Sequence, residues 1–281
     1  MIQWTFLNDR FIQEENASLH FKDLSIQRGY GIFDFFKFID FQPVFLEDHL
    51  DRFYSSAQEM RLPVAMSREE LKDILHQLIQ KNKLPDGGIR MTLTGGYSPD
   101  GYEIASPNLI LSQHPLQIPS KELFQKGIKL ITYPFQRQLS HVKTIDYLMA
   151  IWLQPVLKKN KADDLLYHNG GKITECPRAN IFLVTQDEKI VTPSENILKG
   201  ISRKKILELA KDHFEIQEKT ITLDDIRTAK EAFISSSTKL ILPVSGIDDY
   251  LMSDPKPVTS KLYKLFQQLQ TAHDAVVNKI W

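Results

Sequence analysis

The chain has 281 residues, and its 35 Lys+Arg balance its 35 Asp+Glu, so the formal net charge is zero with histidines neutral. Such a chain lacks the basic excess that neutralises nucleic-acid phosphates, and no nucleic-acid partner is expected. Hydrophobic residues at 42% and charged residues at 25% match an ordinary folded protein rather than a disordered one. No stretch reaches the roughly 18 apolar residues of a membrane span. The lone Cys176 cannot close an intrachain disulfide, and MIQWTFLNDR at the start carries no basic-then-apolar leader, so a cytoplasmic protein with no membrane partner is expected.

Strand-like and helix-like stretches alternate, which predicts a mixed α/β (α+β) fold. Residues 2–45 read as short extended segments, with a hairpin turn at NDRF (8–11). Leu46, Leu50, Phe53, Tyr54, Ala57 and Met60 recur at helical spacing and predict a helix from about Glu47 to Arg61. Ser67-Arg-Glu-Glu70 reads as a capping box opening a second amphipathic helix. Ile89, Met91 and Leu93 alternate as in a half-buried strand, with a partner strand from Pro107 to His114. QHPLQIPSKE (113–122) holds two prolines and little core material, which suggests two domains, 1–118 and 119–281.

The second half predicts a strand near 127–134, a helix near 146–162 kinked or stopped at Pro155, and a hairpin turning at Asn169-Gly170-Gly171. Strands NIFLVT and IVTPS follow, then a helix capped by Ser202 and running to about Phe214. EAFISSS, LILPVSGI and a helix from about Ser260 to Val277 complete the chain.

Common short motifs are missing. There is no phosphate-binding GxxxxGK[ST] loop, no GxGxxG and no HxxxH pair, and one cysteine cannot build a zinc cluster, so no metal is expected. What stands out is a series of segments: RGYGIFD (28–34), EDHLDRFYSSA (47–57), HVKTIDYL (141–148), KITECPRANIFLV (172–184), ILKGISRKKIL (197–207) and FISSSTKLILPVSGID (233–248). Together and in this order they resemble the class IV (fold-type IV) pyridoxal-phosphate aminotransferases, a family that includes D-amino-acid and branched-chain aminotransferases and aminodeoxychorismate lyase.

The resemblance implies a small N-terminal α/β domain and a larger C-terminal domain with a β-barrel-like core. It implies pyridoxal 5'-phosphate as cofactor, held between the domains of a homodimer. Lys143 matches the Schiff-base lysine, and Glu175 the carboxylate that keeps the pyridine nitrogen protonated so that the ring acts as an electron sink. Arg52 matches the phosphate arginine and Thr238, beside Ser237, the phosphate threonine. Ile201 and Ser202, after Gly200, open a helix whose N–H groups suit a dianion. Leu198 matches the apolar residue packing on one ring face, and Tyr147 a donor to the ring hydroxyl. Taken alone, Lys143 reads as a surface charge, Arg52 as a partner of Glu47 or Asp48, and Glu175 as an exposed strand glutamate.

The sequence departs from the family on the substrate side. Where members read Gly-Asp-Gly, an apolar residue and aromatic-Glu, this chain has Phe33-Asp34-Phe35-Phe36-Lys37-Phe38. The arginine and histidine that trap the carboxylate in D-amino-acid enzymes are absent, Thr94-Gly95 standing there. Arg90 resembles the arginine of the branched-chain enzymes, and Lys37 with Arg90 forms a candidate carboxylate-binding pair, with ordinary surface charges as the alternative. The expected activity is amino transfer between an amino acid, branched-chain-like or D, and a 2-keto acid. A lyase-like elimination releasing pyruvate is the alternative, and a non-catalytic binding protein of the same fold a third.

Overall fold

The computed structural model describes residues 2–277, with side chains of α9 described to Gln270. The last four residues of the second expected domain lie outside the described residues. Two compact units emerge. The first takes residues up to Leu116 together with Val142–Asp146, and the second takes Gln117–His141 and Tyr147–Thr271.

The first unit runs β1 (Trp4–Leu7), β2 (Arg10–Gln13), α1 (Leu24–Arg28), β3 (Gly31–Ile39), β4 (Gln42–Pro43), α2 (Leu46–Glu59), α3 (Arg68–Asn82), β5 (Gly87–Thr94) and β6 (Leu109–Pro115). Its sheet has the order β2-β1-β6-β5-β3-β4, and every neighbouring pair is antiparallel. β3 is rich in aromatic and β-branched residues, which suit a pleated surface. Alternation sends Ile32, Phe36 and Phe38 to one face, where they join Ile89, Met91, Leu93 and Leu111 and the apolar stripes of α2 and α3 in one core. α2 buries Leu46, His49, Leu50, Phe53, Ser56 and Ala57, a three-four spacing that delivers two polar side chains to the core edge. At α3, Ser67 and Glu70 form the reciprocal capping box expected from the sequence, worth about 1 kcal/mol.

The opposite face of β3 carries Phe33, Phe35 and Lys37, in register with Thr92, Arg90 and Gly88 of β5. Gly87 and Gly88 lie inside a strand, where glycine ordinarily weakens pairing. Here the aromatic rings of β3 occupy the space their side chains would take. A Cβ on Gly88 would lie 2.7 and 2.9 Å from Cε2 and Cε1 of Phe35, and one on Gly87 would lie 2.5 Å from Cζ of Phe38.

The second unit contains α4 (Lys121–Lys126), β7 (Ile128–Pro134), α5 (Leu148–Trp152), α6 (Gln154–Asn160), β8 (Asp164–Asn169), β9 (Lys172–Ile173), β10 (Asn180–Val184) and β11 (Ile190–Thr192). It continues with α7 (Ile201–Ala210), β12 (Ile216–Glu218), β13 (Ile221–Thr222), α8 (Leu223–Thr228), β14 (Glu231–Ser236), β15 (Leu240–Ile247), β16 (Tyr250–Leu251) and α9 (Pro257–Val277). Its mixed sheet has the order β12-β11-β10-β14-β15-β7-β8-β9-β13, with β16 on β15. Parallel pairing occurs at β15–β7, β7–β8 and β11–β12. Ile128, Leu166, Ile181, Leu183, Ile234 and Leu242 contribute to its core.

Two local expectations need correction. The break expected at Pro155 occurs, but two residues earlier: α5 and α6 meet at Leu153, and Pro155 sits in the first turn of α6, where its missing N–H is tolerated. Ser202 is not a cap: Gly200 is the N-cap of α7, without a side-chain cap bond, and Ser202 lies within the first turn. Among the described residues no helix is long and apolar enough to cross a membrane.

Candidate active site

The first unit sets Lys143 on a frame made by β3 and α2. Phe33 N–H donates to the Lys143 carbonyl at 2.9 Å and Ile145 N–H to the Gly31 carbonyl at 3.1 Å, so the 143–145 segment runs along the start of β3. Lys143 N–H donates to Ser56 Oγ on α2 at 3.3 Å. Arg52 precedes Ser56 by four residues, which places both on one face of the helix.

Arg52 does not pair with Glu47 or Asp48. Its Nε and Nη2 donate to Asp34 Oδ2 and Oδ1 at 2.7 and 2.9 Å, a bidentate fork. Glu47 and Asp51 are engaged by Arg68 instead. Asp34 is 1% exposed and accepts two further bonds, from His49 Nδ1 at 2.7 Å and from the Phe35 N–H at 2.7 Å. Burial alone would raise the Asp34 pKa, but Arg52 and His49 outweigh it and hold the carboxyl well below the usual carboxylate range. Burial depresses His49, against the pull of Asp34, so the imidazole is neutral at neutral pH and Nδ1–H is the donor. The Nη1 donors of Arg52 make no hydrogen bond among the described residues, which leaves one edge of a largely buried guanidinium for an anion.

On the other face of the sheet, Lys143 Nζ lies 4.6 Å from the centre of the Phe33 ring and Arg90 Cζ lies 3.9 Å from it. Arg90 Nε also donates to Thr92 Oγ1 at 3.3 Å. Lys37 shares this face and is 4% exposed, so it is not an ordinary surface charge, and Arg90 is half-buried.

The second unit assembles the other candidates. Glu175 follows β9, is 5% exposed, and accepts from Arg137 Nε on Oε1 at 2.8 Å and from the Leu198 N–H on Oε2 at 2.9 Å. Arg137 also donates to the Ser140 carbonyl at 2.6 Å. Glu175 thus ties the loop carrying Leu198 to its own strand, and Leu198 itself is half-buried. Asn180 completes the loop: its Nδ2 donates to the Leu198 carbonyl at 2.7 Å, and its Oδ1 fills the space where a Cβ of residue 200 would stand. A side chain at 200 would have to displace the Asn180 amide, and among the described residues no side chain caps α7, whose first turn carries the buried Ile201 and Ser202.

Asn180 also pairs across the sheet with Ser235, whose buried Oγ has no hydrogen-bond partner among the described residues. From there β14 leads to half-buried Ser237 and Thr238 in the turn before β15. That turn is latched at Lys239, whose Nζ contacts Asp164 Oδ2 at 2.7 Å. Tyr147 is half-buried at the start of α5. Cys176 is buried, and burial, reinforced by the Asp164 charge, pushes its thiol well above the ordinary range. No group of three metal-ligating side chains occurs among the described residues.

Sequence reading gave no role to Asp34, His49, Arg137 or Lys239. Asp34 carried a usable signal, as the lone carboxylate of a mostly apolar β3 that it shares with Lys37. Arg137 and Lys239 carried none, because their partners are 38 and 75 residues away.

The amino-transferase class IV family model matches residues 31–247. D-alanine aminotransferase of Listeria monocytogenes serotype 1/2a is 28% identical over 273 residues, covering 92% of this chain and 93% of that protein. A putative branched-chain-amino-acid aminotransferase of Methanocaldococcus jannaschii is 28% identical over 281 residues, covering 95% and 96%. Among solved structures, the Escherichia coli branched-chain amino acid aminotransferase superposes with a TM-score of 0.90 at 24% identity, covering 97% of this chain and 96% of that one. The mixed two-sheet fold is therefore that of the fold-type IV aminotransferases.

Proposed function

The chain belongs to the class IV aminotransferases, pyridoxal-phosphate-dependent enzymes that move an amino group from an amino acid to a 2-keto acid, and we propose which of its residues do this work and on what substrates. Lys143 is the catalytic amine. Arg52, the first turn of α7 at Ile201 and Ser202, and the hydroxyls of Ser237 and Thr238 hold the phosphate. Glu175 partners the pyridine nitrogen, Leu198 packs on the ring, and Tyr147 donates to its hydroxyl. The unused Nη1 edge of Arg52, the first turn of α7 without a side-chain cap and the Ser235 Oγ, unpartnered among the described residues, support a phosphate-bearing ligand.

The observation that carries this reading is the common frame of Lys143 and Arg52. The backbone of Lys143 is held by β3 and α2 and the guanidinium of Arg52 by Asp34 of β3, so the chain that carries the amine and the cation itself are already placed when ligand binds. Bound pyridoxal phosphate supplies the electron sink that lets the substrate's α-proton leave. Lys143 Nζ would take that proton from the substrate's Cα and deliver it to the cofactor side of the C–N bond rather than back to Cα, with its backbone held in place throughout. Asp34 holds the Arg52 fork rigid, and neutral His49 holds Asp34. Arg137 Nε–H and the Leu198 N–H hold the Glu175 carboxyl in place by donating to Oε1 and Oε2.

The substrates are an amino acid of the D-alanine or branched-chain type, as in the relatives, and its 2-keto acid. Arg90, with Lys37 on the same sheet face, reads a substrate carboxylate. The exposed apolar stripe Leu148, Ile151 and Trp152 of α5, each more than 60% accessible, supports a homodimer. The lone reduced cysteine supports a cytoplasmic location.

The test is a half-reaction screen. Purified enzyme with its cofactor is mixed with D- and L-amino acids, and loss of the visible absorption band is followed. Bleaching by one class of donor, with no visible band at all in Lys143→Ala, is the expected result. No bleaching by any donor would refute the aminotransferase assignment, and pyruvate release without a keto-acid acceptor would replace it with elimination.

A further inference from the structure

Phe33 is the substitution with the largest consequence for the substrate side. Resemblance leads one to expect glycine here, and the phenylalanine ring is 6% exposed. Two cations use it: the Arg90 guanidinium at 3.9 Å and the Lys143 amine at 4.6 Å from the ring centre. They therefore lie no farther apart than the sum of those distances, within the reach of one small amino acid. Two positive groups so close repel, and the electron-rich face of an aromatic ring offsets that repulsion as an aliphatic side chain would not. The backbone around the ring is fixed. Phe33 pairs with Thr92 across β3 and β5, its N–H is bound to Lys143, and Thr92 Oγ1 accepts from Arg90 Nε. The Arg90 head group is thus held from two sides, by Thr92 and by the Phe33 ring.

We propose that Phe33 is a positioning residue that sets substrate choice: its ring stations the Arg90 guanidinium at a fixed offset from the Lys143 amine, so that one α-amino acid meets both through its amine and its carboxylate. This rests on the assignment of Arg90 to a substrate carboxylate. It makes the enzyme selective for carboxylated amino donors over the corresponding amines, which lack the group Arg90 reads. An aliphatic residue of similar volume keeps the packing but not the platform.

The experiment compares holoenzymes carrying Phe33→Leu, Phe33→Tyr, Arg90→Ala and the Phe33→Leu/Arg90→Ala pair. KM and kcat are measured in the half-reaction with an amino acid and with the amine of the same side chain. Phe33→Leu is expected to raise KM for the amino acid roughly 3- to 30-fold, the span of a cation–π contact. KM for the amine, which lacks the group Arg90 reads, rises less than KM for the amino acid, and Phe33→Tyr restores KM. In the Arg90→Ala background Phe33→Leu adds nothing further, because both act through one group.

Unchanged cofactor absorbance and urea midpoint establish that the variants are folded. If Phe33→Leu folds yet leaves KM unchanged, or adds its full effect on top of Arg90→Ala, the platform is wrong while the Arg90 assignment stands. If Arg90→Ala itself leaves KM for the amino acid unchanged, the Arg90 assignment falls and takes this proposal with it.

Discussion

Asp34→Asn removes one charge and changes almost no volume, so it isolates the electrostatic role of the β3 carboxylate. The asparagine oxygen can keep the bonds from His49, the Phe35 N–H and Arg52 Nη2, now at 2.7, 2.7 and 2.9 Å. Its amide nitrogen then faces Arg52 Nε–H, which today donates to Oδ2 at 2.7 Å, and two donors confront each other. Arg52 is 12% exposed, so the cation it leaves behind is largely buried without its counter-charge. Removing one partner of a buried pair costs about 3–5 kcal/mol, and the residual exposure of Arg52 places this case near the lower figure.

Urea unfolding at pH 7 with unchanged slope should show that loss. Titration of the cofactor should show binding weakened by about tenfold or more, equivalent to at least about 1.4 kcal/mol. The pH dependence has a defined sign. The Asp34 carboxyl is depressed in the folded state, so its contribution is fully present above the unfolded value of about 3.9 and fades as the pH falls toward the folded one. The stability gap between wild type and variant is therefore flat above about pH 5 and narrows in acid. A loss under about 1 kcal/mol, or a gap that widens on acidification, would refute the reasoning, since either means Arg52 does not depend on this carboxylate.

Gly88→Ala should destabilise the protein by about 1–3 kcal/mol despite alanine's lower conformational entropy, because its methyl overlaps the Phe35 ring, and Phe35→Leu should recover part of the loss in the same urea assay. Glu175→Gln should lower the transamination rate by about 100-fold, the scale of losing one preorganised charge, and should loosen the Leu198 loop, visible as faster amide hydrogen exchange there. Cys176 should resist alkylation by iodoacetamide at pH 8 in the native protein and react once urea unfolds it, since burial keeps the thiol protonated.

Local structure was legible in the sequence wherever local forces decide it. The α2 stripe, the Ser67–Glu70 box and the Asn169-Gly170-Gly171 turn each depend on residues within a few positions, and each forms as expected. α1, only five residues from Leu24 to Arg28, escaped because no periodic stripe fits in so short a helix. The candidate site was legible as segments, not as partnerships. A helical reading offers Arg52 the nearby Glu47 or Asp48, whereas the strand that crosses α2 delivers Asp34, 18 residues earlier in the chain. Lys37 read equally well as a surface charge, and only the register of β3 against β5 shows it sharing a buried face with Arg90. The cap of α7 is Gly200 rather than Ser202, and the Asn180 amide that packs against it comes from twenty positions upstream, beyond the reach of a local capping signal.

The aromatic rings of β3 and the paired glycines of β5 restrict how this chain can exchange residues with its relatives. Returning Phe35 to glycine alone would leave two bare stretches of backbone facing each other across a hollow, and giving Gly88 a side chain alone would drive it into the ring. Either single step is harmful although the double replacement restores a filled wall. The two positions are therefore epistatic: the cost of a change at either depends on what stands at the other. Glycine at 35 with Gly88 left bare should therefore weaken the pairing of β3 with β5 rather than simply reshape one face of the sheet.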